Sequence, residues 1–231
     1  GELDRRVLVL DLDPQASASA WYRVNEEGRG LLATLTDRSD LDDLVHETEV
    51  EGVSIVPASR WLMAADKLLA NVVGAESRLG EALDKLEDDS WDYLLFDCPP
   101  TLGILTVNAL SAATEVLIPV ETHVLPLHGL AQLLETVEVV RERLNPDLEI
   151  AGILACRVDR RTRLSLEIVA DLRQRFGDLV YSTAIRENIR LAEAPSFGLP
   201  ITSYANRSAG AQDYRALASE VLAQEESQAS L

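Results

Sequence analysis

Two short stretches bring together acidic side chains in a pattern that suits phosphate and metal chemistry. Asp11-Leu12-Asp13-Pro14-Gln15 places carboxylates on alternate positions directly after the apolar run Val7-Leu8-Val9-Leu10. Asp97-Cys98-Pro99-Pro100 places another after Tyr93-Leu94-Leu95-Phe96, and the two prolines force an extended turn behind it. An apolar strand ending in Asp is the means by which a Walker B element holds the water shell of Mg²⁺ beside a nucleotide phosphate. A single strand-end Asp more often caps a turn; two of them, one followed by Pro-Gln and one by Cys-Pro-Pro, favour the chemical reading.

Other acid-based chemistries fit less well. A haloacid-dehalogenase-like phosphatase also opens on strand, Asp, x, Asp, but it carries Thr or Val two positions after the second Asp and needs a lysine near phosphate. Here that position is Gln15, and the two lysines, Lys67 and Lys85, fall in helical patterns among acids. A receiver domain would need about half this length. A Walker-type nucleotide hydrolase remains.

The elements that position these residues can be read from periodicity. Continuous apolar runs at Val7–Leu10, Val53–Val56, Tyr93–Phe96, Val116–Val120, Ile150–Ala155 and Leu179–Ile185 have the pattern of strands buried on both faces of a parallel sheet. Between them, Ala75–Glu87, Leu102–Ala113, Leu127–Leu144 and Leu164–Phe176 carry apolar residues three and four apart, and a last helix is expected from about Ala209 to Glu225. Asn145-Pro146-Asp147 and Gly177-Asp178 supply helix stops. The alternation predicts an α/β, doubly wound, mostly parallel sheet flanked by helices. Residues 1–225 are expected to form a single domain and 226–231 a frayed tail. In such sheets ligands bind beyond the carboxyl ends of the strands, where both acidic stretches fall.

Composition restricts the setting. The chain has 231 residues, 47% of them apolar, and 39 acidic against 21 basic residues give a net charge of −18. That charge repels nucleic acid at long range, so any DNA contact must be a local basic patch. The apolar runs fall far short of the roughly 20 residues of a bilayer span, and the amino-terminal residues lack signal-peptide features, so a cytoplasmic protein is expected. Cys98 and Cys156 are not paired in a C-x-x-C motif and read as small fillers, and His46, His123 and His128 lack ligand spacing.

Three ordered segments carry a family resemblance: Arg6–Gln15, Asp92–Gly103 and Asn188–Gly198. They resemble the signatures of the ParA/Soj-type chromosome or plasmid partition ATPases, which have a P-loop NTPase-like fold; Val120–Leu134 and Leu144–Leu148 are similar as well. The resemblance implies ATP and Mg²⁺ as cofactors. It implies that Asp13 positions or activates the attacking water, that Asp11 helps hold the Mg²⁺ water shell, and that Asp97 is the Walker B acid. Pro99 to Gly103 would form the switch that senses the γ-phosphate, and Asn188 would meet the adenine edge. Arg161 and Arg190 match arginines through which an ATP-bound homodimer holds DNA without sequence preference. A centromere-binding ParB-type protein is the implied partner, at the nucleoid. MinD-like relatives end in a basic lipid-binding helix; Glu220, Glu225 and Glu226 in the last turns argue against a membrane.

The family's glycine-rich loop, Lys-Gly-Gly-x-Gly-Lys-Thr, has no counterpart here, since no Gly-Lys pair occurs in the sequence. Its backbone N–H groups and lysines would cradle phosphate. The fold is therefore expected to lack the family's first strand and most of its first helix, through a shortened gene or a fragment, and the chain is expected to bind ATP poorly. Arg186-Glu187 stands where the family has Pro-Arg before Asn188. The alternative is a non-catalytic ParA-like binding or regulatory protein that does not use nucleotide. Arg157, Arg160, Arg161 and Arg163, with Arg186, Arg190 and Arg207, read either as a phosphate-contacting patch or as loop arginines paired with Asp159, Glu187 and Glu193.

Overall fold

The structure is a computed structural model describing all residues except 87–89, 123–126 and 229–231, and omitting the side chains of 127, 128 and 228. The expected helix end at Glu87 and the residue His123 lie outside the described residues, as does the His128 side chain. Contacts divide the chain into two units, residues 1–114 with 136–148 and residues 115–135 with 149–231.

The first unit is built on a four-stranded sheet in the order β2-β3-β1-β4, with β1 Val7–Asp11, β2 His46–Glu47, β3 Val53–Val56 and β4 Tyr93–Asp97. β1 runs parallel to both β3 and β4; Leu8 and Leu10 on one face are fully buried, and Val7 and Val9 on the other are partly buried. β2 pairs antiparallel with β3 over two residues, too short to leave a periodic signal. α1 Ser17–Trp21, α2 Leu31–Asp37, α3 Ala65–Leu69, α4 Arg78–Leu83 and α5 Ile104–Ala112 belong to this unit. Leu31, Leu32 and Leu35 of α2, Leu69 of α3, Leu79 of α4 and Leu105 of α5 join Leu8, Leu10 and Val56 in one core. At roughly 2 kcal/mol per fully buried leucine, this cluster is the main force holding the rim of β1 in place. β4 is the edge of its sheet, and Leu94 and Leu95 are exposed at 39% and 52%, unlike the buried strand that the sequence suggests. Phe96 of the same strand packs against the core, so the apolar exposure is confined to Leu94 and Leu95.

The second unit holds a two-stranded parallel sheet of β5 Glu115–Glu121 and β6 Glu149–Cys156, with α7 Arg163–Phe176, α8 Ile189–Phe197, α9 Ile201–Tyr204 and α10 Ala209–Gln228. α6 Leu127–Arg143 contributes its first half to this unit, where Leu130 is buried in a core with Ile118, Val120, Ile153, Ile168 and Leu172. Its Val137 and Val140 are buried too, so the apolar stripe of this helix is core. α10 continues to Gln228, beyond the expected end at Glu225 and into the stretch expected to fray.

Residues 179–185 do not form the expected sixth strand. Tyr181 and Ile185 donate N–H bonds to Ile153 and Ala155 of β6, as strand residues would. Between them, the Glu220 carboxylate of α10 accepts the N–H groups of Ser182 and Thr183 and the Ser182 hydroxyl at 2.7 to 2.9 Å. A side-chain acceptor thus takes the donors that a ladder would have used.

Candidate functional site

The register of β1 and β4 decides where the acids meet. Asp11 and Asp97 are paired residues on adjacent parallel strands, so both side chains leave the same face at the same carboxyl rim. The Leu12 N–H donates to the Asp97 carbonyl at 2.9 Å and extends the pairing one residue further, to the turn that carries Asp13. Sequence-predicted Asp11, Asp13 and Asp97 are therefore brought together within the first unit.

Each acid has a different environment. Asp11 is completely buried, and one carboxylate oxygen accepts the N–H and hydroxyl of Ser19 at 2.8 and 2.6 Å. Its other oxygen accepts the Asp13 N–H at 3.2 Å. Burial pushes its pKa up, the Ser19 and Asp13 donors pull it down, and the Asp13 charge adds a further upward push. Asp13 is half-buried and turns inward on its own loop, accepting the Gln15 N–H at 2.9 Å. Asp97 is exposed at its edge, yet the protein around its carboxyl removes enough water to push its pKa up, and the charges of Asp11 and Asp13 raise it further, to about 6. Among the described residues, no Arg or Lys side chain pairs with any of the three, and the Asp97 carboxylate accepts no hydrogen bond. The rim is a concentration of negative charge.

Ser19, which sequence reasoning missed, is the residue that fixes Asp11. Its hydroxyl donates to Asp11 and accepts the Ala58 N–H at 2.8 Å, linking the turn after β3 to α1. The turn into α1 passes through Ala16 at φ 54°, a left-handed conformation, and brings Ser19 back over the strand it follows. Sequence spacing carries no signal for this contact, because it depends on that reversal.

The loop beyond Asp97 is fastened at its far end. Asp66 of α3 accepts the Ile104 N–H at 2.9 Å, serving as the cap that Gly103 cannot supply. A Cβ at Gly103 would lie 2.9 Å from that carboxylate, so a side chain there would have to push the Asp66 cap aside. The Thr106 hydroxyl donates back to the Thr101 carbonyl at 2.6 Å, and Pro99 and Pro100 stiffen the start of the loop. Asp66 was legible only as a helix residue. The Cys98 thiol is pushed up to about 12, chiefly by burial, and that of Cys156 to about 11, so neither is a thiolate nucleophile near neutral pH.

In the second unit, the isolated bridge between Val158 and Arg186 and the Glu187 N–H bond to the Val158 carbonyl bring residues 157–163 beside 186–190. Arg161 is 85% exposed and grips Asp159 through two nitrogens at 2.9 and 3.0 Å; Arg190 holds Glu193 at 2.8 Å. Arg186 is no part of an open patch: it makes a forked pair with Asp213, which is 8% exposed, and it donates its own N–H to the same carboxylate. Asn188 caps α8, its side-chain oxygen accepting the Arg190 N–H at 2.9 Å.

The rim suits a divalent cation held through water. Asp11 has its lone pairs largely occupied by Ser19 and Asp13, whereas the Asp97 carboxylate has no hydrogen-bond donor among the described residues. No group of three or more His, Cys, Asp or Glu side chains able to enclose a metal occurs among the described residues, so two carboxylates alone do not make a closed metal cage.

Comparison with known proteins places this arrangement in a family. Residues 2–150 match the sequence profile of an AAA domain. The chain is 40% identical to the sporulation initiation inhibitor protein Soj of Bacillus subtilis over 96% of its length and 88% of that protein's. It is 39% identical to the chromosome partitioning protein ParA of Myxococcus xanthus over 95% of its length and 78% of that protein's. Among solved structures, it superposes with a TM-score of 0.84 on cobyrinic acid a,c-diamide synthase of Mycobacterium smegmatis with bound ADP and magnesium, at 31% identity over 98% of this chain and 85% of that one. The septum site-determining protein MinD of Pyrococcus horikoshii, complexed with Mg-ADP, shares the fold with a TM-score of 0.72 at 23% identity, over 97% of this chain and 84% of that one. With an α/β fold of P-loop NTPase type and this identity over nearly its whole length, the chain belongs to the ParA/Soj-type partition ATPases.

Proposed function

We propose that this protein carries the acid half of a Mg²⁺–ATP site used in DNA partitioning. The observation that carries the reading is the in-register pairing of Asp11 and Asp97 on one rim, with Asp13 on the adjoining turn. Asp97 and Asp11 would hold the water shell of Mg²⁺, which supplies charge to offset the phosphates. Asp13 orients the attacking water and accepts its proton. The loop from Pro99 to Gly103, pinned by Asp66 at Ile104, reports the presence of the terminal phosphate. The Asn188 side chain keeps its amide N–H₂ for the adenine edge while its oxygen caps α8. In the complete nucleotide-bound state, two copies pair, a ParB-type protein stimulates hydrolysis, and Arg161 and Arg190 contact DNA phosphates at the nucleoid.

Asp11, Asp13 and Asp97 repel a triphosphate unless cationic groups oppose them, and the sequence supplies no glycine-rich Lys-Thr loop to do so. This chain by itself therefore binds Mg²⁺–ATP too weakly to detect at micromolar concentration by calorimetry. Appending a strand that ends in Lys-Gly-Gly-x-Gly-Lys-Thr ahead of Gly1 should restore ATP binding and a slow hydrolysis that Asp13→Ala abolishes. A completed protein that folds and binds ATP, but whose hydrolysis survives Asp13→Ala, would remove the role given to that residue. The non-catalytic alternative rests on the absence of a Gly-Lys pair from these 231 residues, and failure of the extended protein to bind nucleotide would favour it.

A further inference from the structure

The 3₁₀ turn Arg60–Ala64 runs without a break into α3, and this short helical stretch is apolar on two opposite faces. Leu62, Ala65 and Leu69 are at most 1% exposed and belong to the core of the first unit. Trp61, Met63 and Leu68 are exposed at 45%, 70% and 48%, and Met63 is the chain's single methionine. Residues three apart eclipse in a 3₁₀ turn, and residues three or four apart are neighbours on an α-helix. Arg60, Met63 and Lys67 therefore form one outward row, with Trp61, Ala64 and Leu68 in the row beside it. Exposed Leu102 lies close by, since it precedes Gly103, whose Cβ position is 2.9 Å from the Asp66 carboxylate. A helix with one apolar face covers a core; a second apolar face is a second surface to cover. Single exposed leucines are ordinary, but adjoining rows make a patch, and Trp, Met and Arg are the residue types that gather at the centres of protein interfaces.

Charge identifies the occupant. The chain carries a net charge of −18, and Arg6, Arg29, Arg38 and Arg78 of the same unit each have a carboxylate partner. Arg60 and Lys67 have none among the described residues; the Arg60 guanidinium lies over the Trp61 ring, 5.7 Å from its centroid. Asp66, the one acid of this stretch, is turned to the Ile104 N–H. Two unneutralised cations beside an apolar stripe complement a segment that carries bulky apolar side chains between carboxylates. A second copy of this chain fits less well, because a two-fold contact sets the patch against itself and brings Arg60 and Lys67 of one copy against those of the other. Single-stranded nucleic acid would use Trp61 and the cations but leave Met63 and Leu68 without a contact of their kind.

We infer that this stripe is a docking surface for an acidic amphipathic segment of a partner protein, its apolar side chains seated on Trp61, Met63 and Leu68 and its carboxylates on Arg60 and Lys67. The surface lies wholly in the first unit and is independent of the nucleotide reading.

The test is calorimetry on the full chain at pH 7.5 in 0.15 M NaCl with an acetylated and amidated peptide of three Glu-Leu-Leu-Glu repeats. A matched peptide of Glu-Ser-Ser-Glu repeats and a thymidylate dodecamer serve as the other probes. The leucine peptide should bind at least roughly tenfold more tightly than the serine peptide. Arg60→Glu with Lys67→Glu, and separately Met63→Ser with Leu68→Ser, should each weaken that binding roughly tenfold or more. All four side chains are exposed, so both double variants should melt within about 2 °C of the parent, which separates loss of docking from loss of fold. No binding of the leucine peptide, or binding unchanged in either double variant, would overturn the inference. Tighter binding of the thymidylate than of the leucine peptide would overturn it in favour of nucleic acid. Self-association of the parent by light scattering, abolished by Met63→Ser with Leu68→Ser, would overturn it in favour of a second copy.

Discussion

Asp97→Asn should make this protein more stable near neutral pH, an unusual result for a substitution at a site of this kind. The ordinary carboxyl value is 3.8, and in the folded chain Asp97 rises to about 6 through surrounding protein and the charges of Asp11 and Asp13. Below the lower value, folded and unfolded states are both protonated and Asp97 contributes nothing to the pH dependence. As pH climbs from about 4 to about 6 the unfolded chain ionises first, so stability is lost across that window and stays lost above it. Taken at face value, the difference amounts to about 3 kcal/mol. Asp97 is exposed, and water and salt screen it, so about 1 kcal/mol is the working expectation. Asparagine keeps the shape and removes the charge. Urea denaturation of parent and variant from pH 4 to pH 8 should give coincident midpoints at pH 4 and a variant that is more stable by about 1 kcal/mol at pH 7.5, equivalent to roughly 2–4 °C in melting temperature. Millimolar Mg²⁺ should narrow the gap by stabilising the parent alone. A variant that is less stable at pH 7.5, or a gap that does not vary with pH, would refute the claim that three acids on this rim oppose one another.

Three further outcomes follow from the contacts. Ser19→Ala strips the buried Asp11 carboxylate of its 2.6 Å donor and the Ala58 N–H of its acceptor, and should cost about 3 kcal/mol by urea denaturation. Arg186→Ala leaves the Asp213 carboxylate with little more than a backbone donor and should cost about 2–3 kcal/mol, read by the same assay, with no effect on the salt dependence of DNA binding. Arg161→Ala with Arg190→Ala breaks only exposed pairs, so melting should change little. In the completed, nucleotide-bound protein, the slope of log affinity against log salt for random-sequence DNA should fall by about 2 per protomer. An unchanged slope would leave these arginines to their carboxylate partners.

What could be read from the sequence follows from how far each residue's environment is set by its own neighbours. β1 and β4 were legible because a run that is apolar at every position has few structural uses besides a sheet strand, and two such runs ending in Asp fall into register when the strands pair in parallel. The meeting of Asp11 and Asp97 is thus a consequence of matched run lengths. The segment 179–185 has an equally apolar start, and fails as a strand because Glu220, some forty residues away, takes its donors; no local pattern reports an acceptor supplied by a distant helix. Arg186 illustrates the same point. Beside Arg190 in the sequence it resembles a member of one basic patch, yet Asp213 draws it inward while Arg190 remains at the surface with Glu193. Leu94 and Leu95 mark the opposite error, since apolarity promised burial on both faces but both are exposed, on a strand that among the described residues pairs with β1 alone. Two leucines exposed on an unpaired edge present bare backbone donors and apolar surface together, the combination that a further strand would cover. The completed protein of the nucleotide experiment should therefore protect the β4 amides from hydrogen exchange, and unchanged exchange there would place the added strand elsewhere.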